Sequence, residues 1–296
     1  MPIFNSNDST IGSRIKMRLI IMGVIGLIAV ISYVSKFEKD PITGKYRAVA
    51  LNPDQEIAMG LQSAPEMANE MGGAIDPRAS EDARHVSTIG QKLVNAYAAD
   101  AESPYASHFD FHLLNDRQTI NAFALPGGQI FITQALYDRL ENEAQLGGVL
   151  GHEIGHVIHR HASEHMAKSE LGQSLVGAVA VGSGDQSAAR IAQAVNQMIQ
   201  LKYGRQDESQ SDKWGLENMS AAGYDPRQMI RVMEILKEST GGGGRGPDIF
   251  ASHPNPDQRI VDIKEYIKAR WHDNPPTTDS GSTLGHPAII RGRQGN

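Results

Sequence analysis

The chain has 296 residues, a 40% hydrophobic share and a formal net charge of −6 at pH 7. That is enough apolar material for one sizeable core, and the acidic balance gives no electrostatic reason to expect a nucleic-acid partner. There is no cysteine, which excludes disulfides, thiolate metal sites, a cysteine nucleophile and a lipid-modified N-terminal cysteine, and leaves the redox compartment unread.

Residues 1–18 read as a short N-terminal tail. Leu19 to Val34 then run without a charge, after Arg14, Lys16 and Arg18. As a helix this stretch rises about 24 Å, short of a bilayer core by an amount that snorkelling Arg18 and Lys36 can make up. A cleaved signal peptide is the competing reading. Its apolar region would be shorter, and Ser32-Tyr33-Val34-Ser35 is a poor cleavage site. An uncleaved, single-pass signal anchor over 19–34 is therefore expected, followed by a linker over 35–50. Three basic residues precede the segment and four follow soon after (Lys36, Lys39, Lys45, Arg47), so charge alone leaves the orientation open.

Four Asx-Pro pairs predict helix starts: Asn52-Pro53, Asp76-Pro77, Asp225-Pro226 and Asn255-Pro256. Each sets a capping side chain before a proline whose missing N–H costs nothing at the first helical position. Val86, Ile89, Leu93, Val94 and Tyr97 form one face of a helix ending near Ala99, and Ile260, Ile263 and Ile267 do the same near the C-terminus. Between them lie strands. Phe109, Phe111 and Leu113 alternate with polar residues, and residues 119–124 and 128–133 flank a Pro126-Gly127-Gly128 turn. The order predicts an α+β fold, mainly helical, with a small antiparallel sheet. Residues 168–200 are rich in Gly, Ala, Ser and Gln, and read either as two plain helices and a turn, which is favoured, or as a lid or membrane-touching loop. Gly241–Gly244 reads as a flexible loop and residues 273–296 as a disordered tail.

The chemistry is concentrated in His152-Glu153-Ile154-Gly155-His156. On a helix, residues four apart project from one face, so the two imidazoles can share one Zn²⁺ with Glu153 beside the metal as general base. Leu146, Val149, Leu150, Ile154, Val157 and Ile158 supply the apolar face such a helix needs, and Glu141 and Glu143 suit its first turn. Catalytic zinc takes three protein ligands and a water. Downstream, Glu208 can complete a two-His, one-Glu set, and Asp212, one turn further on, can accept the free N–H of a ligand imidazole. Taken alone, the 208–212 stretch reads more readily as an acidic surface helix; coupled to the His152–His156 helix, the ligand reading prevails. His253, after the glycine tract, is a candidate for the open metal position or for oxyanion stabilisation, against the plainer reading of an exposed loop histidine. His161 reads as a structural hydrogen-bonding residue, and Arg205, three residues before Glu208, as a surface ion pair.

Five segments, NAFALPGGQIFITQAL (121–136), HEIGHVIHRH (152–161), ESQSD (208–212), AAGYDP (221–226) and SHPNPDQRI (252–260), occur in that order. In them the chain resembles the membrane-associated zinc metallopeptidases that include HtpX, the type-one CAAX prenyl proteases and the periplasmic protease that assists β-barrel assembly. The resemblance spans roughly residues 51–270, and a metallopeptidase domain is expected over 51–272. It implies one zinc per chain on His152, His156 and Glu208, base catalysis by Glu153, protein or peptide substrates, and an extracytoplasmic catalytic domain. It also favours Gly128, Gln129, Ile130 and Phe131 as substrate-binding, on an edge strand to which an extended peptide adds; a plain core strand fits the pattern alone equally well. The expected function is a zinc endopeptidase acting on misfolded envelope proteins. The alternative is a zinc-bound chaperone or scaffold with latent proteolysis. Two features depart from the family: the chain ends too soon for the tetratricopeptide array of the assembly-assisting members, and it has at most one transmembrane segment.

Overall fold

A computed structural model describes residues 7–40, 44–98, 103–183, 203–239, 249–254 and 256–284. The Gly241–Gly244 loop, Asn255 and residues 184–202, which include the second half of the 168–200 stretch, lie outside them. The chain divides into two compact units, Met1–Ala50 with Ser163–Lys202, and Leu51–Ala162 with Tyr203–Asn296.

In the first unit, α1 (Asn7–Val34) contains a segment, Ser13–Val34, that is long and apolar enough to cross a membrane. Leu27 and Ile28 are each 61% exposed on it. Residues 35–50, expected as a linker, instead hold an antiparallel hairpin of β1 (Phe37–Lys39) and β2 (Tyr46–Ala48). Arg47 on β2 is buried and lies 3.4 Å from both Asp40 and Glu164, so the hairpin is tied electrostatically to α6 (His161–Ser183).

The second unit carries the site. Its first helix, α2 (Pro53–Glu70), starts at the Asn52 capping box: Gln55 N–H donates to Asn52 Oδ1 at 2.9 Å and Asn52 N–H to Gln55 Oε1 at 3.0 Å. The Asp76-Pro77 pair forms a turn rather than a helix start; α3 (Glu81–Ala98) begins four residues later, where Ser80 Oγ accepts from Ala83 N–H. Asp225-Pro226 likewise forms a turn before α8 (Gln228–Glu238).

The sheet comprises β3 (Asp110–Leu114), β4 (Ala122–Ala124) and β5 (Gln129–Thr133) in the order β3-β5-β4. It is mixed, not purely antiparallel. The β4–β5 hairpin is antiparallel, with Phe123 opposite Phe131, but β3 lies on the far side of β5 and runs parallel to it. The chain between β3 and β5 acts as the crossover that parallel pairing requires. Gly127 turns the hairpin at φ +82; a Cβ there would sit 2.4 Å from Ile57 Cα, so α2 and the turn approach as backbones. The short α4 (Gln134–Tyr137) follows β5.

The central helix is α5 (Glu143–Ile158), buried from Ala144 to Ile158. Asn142 Oδ1 caps it through Gln145 N–H at 3.0 Å. The backbone N–H groups of Glu143 and Ala144, unpaired in any helix start, donate to the carbonyls of Ser282 and Ser280 at 3.1 and 3.0 Å. Residues 273–284, expected as part of a disordered tail, are thus docked on the metal helix, with Leu284 buried. Residues 285–296 lie outside the described chain. Among the described residues this unit also holds α7 (Arg205–Ala221), α9 (Ile249–Ser252) and α10 (Pro256–Trp271).

Candidate metal centre

α5 presents His152 and His156 one turn apart, with their Nε2 atoms 3.0 Å from each other. From α7, Glu208 places Oε2 3.6 Å from His152 Nε2 and Oε1 3.5 Å from His156 Nε2. The two helices come this close because small residues face each other. A Cβ on Gly151 would meet Gly215 Cα at 3.3 Å, and one on Gly155 would meet Ser211 Cα at 2.9 Å. Gly155→Ala should therefore wedge α7 away from α5, costing about 1–3 kcal/mol and lowering bound metal. Thermal unfolding and metal analysis would show this; a variant with parental Tm and stoichiometry would refute it.

Support groups fix how the imidazoles point. His152 Nδ1 lies 2.9 Å from Asp212 Oδ1. Burial would raise the Asp212 carboxyl, but Arg259 and His152 beside it hold it well below the usual range. An ionised carboxylate only accepts, so Nδ1–H donates to it, and in the neutral imidazole Nε2 is then the lone pair that can hold a metal. His156 Nδ1 is 3.0 Å from His161 Nδ1, and His161 Nε2 is 3.1 Å from Gln210 Oε1. Read from the amide oxygen inward, this chain puts the His156 proton on Nδ1 and again leaves Nε2 bare. Burial, reinforced by the neighbouring His152 and His161, holds His156 well below its ordinary value, hence neutral.

In these tautomers the two Nε2 lone pairs face each other at 3.0 Å, an arrangement that a cation between them would satisfy. Ligand atoms about 2.0–2.2 Å from one tetrahedral ion stand about 3.3–3.6 Å apart, and the spacings of 3.0 to 3.6 Å reach that range. The buried Glu208 Oε2 receives no aligned hydrogen bond, although Arg259 Nη1 stands 2.9 Å away. The donor set fits a divalent metal.

His253, which one sequence reading left exposed, is buried at the end of α9. Its Nδ1 lies 3.0 Å from Glu208 Oε1 and 3.2 Å from His152 Nε2, and its Nε2 lies 3.8 Å from Glu153 Oε1. One ligand atom each from His152, His156, Glu208 and His253 falls within 4.8 Å of all the others. Burial pulls the His253 ring downward, but Glu153 and Glu208 outweigh it and raise it overall. A cavity of about 20 Å³, room for about one water, opens beside Glu153, walled by Val232, Met233, Leu236 and Phe250.

Gly128, Gln129, Ile130 and Phe131 do not enter this cluster as a free edge. β5 is hydrogen-bonded to β3 on one side and β4 on the other, and Gln129 to Phe131 are buried. A peptide therefore has no unpaired backbone there to join. Arg205 is exposed and makes no contact with the cluster among the described residues.

Sequence reasoning missed Arg259 and Tyr203. Arg259, buried on α10, grips Asp212 through Nε at 2.9 Å and Nη2 at 2.6 Å while Nη1 faces Glu208. Burial works against its charge, but Asp212 and Glu208 more than offset that and raise its already high value. It sat inside the SHPNPDQRI segment, which marked the stretch but not the residue. Tyr203 lays its ring 4.1 Å from that of His156, centroid to centroid.

A family model described as Peptidase family M48 matches residues 81–267. The chain belongs to peptidase family M48. Among its M48 relatives, the beta-barrel assembly-enhancing protease of Escherichia coli K12 is 28% identical over 233 residues, covering 76% of this chain and 46% of that one. The mitochondrial metalloendopeptidase OMA1 of Schizosaccharomyces pombe is 27% identical over 235 residues, covering 79% and 68%. The metalloprotease YcaL of Escherichia coli K12 is 25% identical over 225 residues, covering 75% and 84%. The chain spans about half the length of the beta-barrel assembly-enhancing proteases it matches.

Proposed function

We propose that this M48 chain is a membrane-anchored zinc endopeptidase that cuts unfolded or misfolded proteins of the cell envelope, with its catalytic part on the extracytoplasmic side. The observation that carries this is the convergence of buried His152, His156 and Glu208 beside a second buried carboxylate, Glu153. Two imidazoles and a carboxylate suit zinc, and the relatives' names as metalloproteases point the same way. When bound, the ion supplies Lewis acidity, lowering the pKa of a water towards ~7 and polarising the scissile carbonyl.

The remaining work falls to the chain itself. Glu153 accepts the proton of the attacking water and passes it to the amide nitrogen as the C–N bond breaks. Asp212 and His161 keep the Nε2 atoms of His152 and His156 turned inward. An extended substrate adds to β4, beyond which no strand pairs among the described residues, and on which Phe123 and Ala124 are half-buried. Backbone pairing reads shape rather than side chains, which suits unfolded substrates. α1 supplies the anchor.

The burial of His253 against Glu208 and His152 favours a second reading, a latent enzyme or zinc-bound chaperone in which this ring occupies the fourth position. His253→Ala should then raise casein cleavage by the purified, zinc-loaded chain several-fold at constant metal content. A fall in rate would assign the ring to oxyanion stabilisation instead. Casein cleavage that is lost on chelation and regained with zinc tests the enzyme itself.

A further inference from the structure

α6 is two helices in one by composition. Up to Glu170 it is charged and paired: Lys168 lies 2.7 Å from Glu164, Arg47 contacts Glu164, and Glu170 pairs with Lys36. From Leu171 to Ser183 it carries no charge at all. Leu175 and Val181 are 39% and 41% exposed there. Gln173 and Ser174 are its exposed polar residues, near the charged half; beyond them the described side chains are apolar or Gly. Exposed apolar side chains on an uncharged helix suit an apolar surrounding, which in the same unit α1 also calls for.

The Lys36–Glu170 pair sets the level. Lys36 follows the end of α1, and Glu170 is the last charge before the apolar half of α6. Seven residues back along α1 lies Ala29, and eight residues on along α6 lies Ala178, distances of about 10 and 12 Å at a helical rise. Both alanines are buried, at 7% and 3% exposure. On α1 the shielded positions Met22, Ile25, Gly26, Ala29 and Tyr33 form one stripe at helical spacing, while Leu27, Ile28 and Ile31 on the other side are exposed.

We infer that the Leu171–Ser183 half of α6 enters the lipid bilayer beside the anchor helix, so that the protein is held in the membrane at two places. The described stretch Leu171–Ser183 rises about 20 Å as a helix, within the depth of a hydrocarbon core of about 30 Å. Small residues at matching depth on the two helices suit close packing in lipid. The Lys36–Glu170 pair then sits at the headgroup boundary, with Leu175 and Val181 facing acyl chains.

This inference rests on α1 being a membrane anchor, and the absence of cysteine makes a test of both direct. The full chain would be reconstituted in phosphatidylcholine–phosphatidylglycerol vesicles after single substitutions Leu27→Cys, Leu175→Cys, Val181→Cys and Val261→Cys, each labelled with a polarity-sensitive fluorophore. Quenching by doxyl-labelled lipids reads lipid contact. The expected result is quenching at Leu27, Leu175 and Val181, with a deeper signature at Val181 than at Leu175, and none at Val261, which is 47% exposed on α10. Quenching at Leu27 but a water-like signal at Leu175 and Val181 overturns the inserted segment and spares the anchor. An apolar but unquenched signal at those two sites assigns the surface to another protein and likewise overturns it. No quenching at Leu27 overturns the anchor and the inference together.

Discussion

Glu153→Ala is expected to retain its metal and lose peptide hydrolysis by about 10²–10⁴-fold, the usual contribution of a positioned acid–base group. The side chain is buried next to the ligands on α5, with His253 Nε2 3.8 Å from its Oε1. It is not among the four residues whose ligand atoms converge. Removing it should therefore leave metal content intact while taking away the one carboxylate of the His152–His156 motif, the group that can move a proton. Metal analysis beside single-turnover cleavage separates the two effects. Loss of metal together with activity would make Glu153 a structural member of the site rather than its base.

Arg259→Ala should be the most damaging substitution for stability outside the ligands. Arg259 is buried between Asp212 and Glu208, and all three of its guanidinium nitrogens lie within 2.9 Å of their oxygens. Deleting one partner of a buried ionic cluster leaves uncompensated charge, at a cost of about 3–5 kcal/mol. Exposed pairs do not behave this way: Arg270 with Glu217 is half open to water, and Arg270→Ala should leave stability little changed. Because a bound divalent cation itself compensates Glu208, the Arg259→Ala deficit should shrink when the protein is saturated with zinc. Thermal unfolding with and without zinc measures this directly. An equal deficit in both states would mean that the arginine acts through packing alone.

What could be read from the chain follows from how local the signal is. The α5 motif is local: two histidines four apart, an asparagine cap and an apolar face determine one another within a few turns. Glu208 and Asp212 are legible for the same reason, one turn apart on α7. Strand order is not local. The segment that became β5 has the same alternation whether it lies at an edge or in the middle, and only the placement of β3 beyond it decides the matter. The Arg259 contacts join residues 47 and 51 positions apart, and nothing in the spacing of α10 says that this arginine points inward. The docked stretch 273–284 was hidden by composition: Pro, Thr, Ser and Gly read as a free tail, yet their carbonyls are what the exposed N–H groups at the start of α5 require. His253 shows the same limit, since only folding brings α9 over the two metal-binding helices.

The most direct test of a zinc peptidase built on these residues is casein cleavage by the purified full chain, stripped by chelator and then titrated with zinc. Activity rising linearly and levelling at one zinc per chain, and absent throughout the same titration of Glu153→Ala, is the predicted result. One tightly bound zinc with no cleavage, in the parent and in His253→Ala alike, would contradict it.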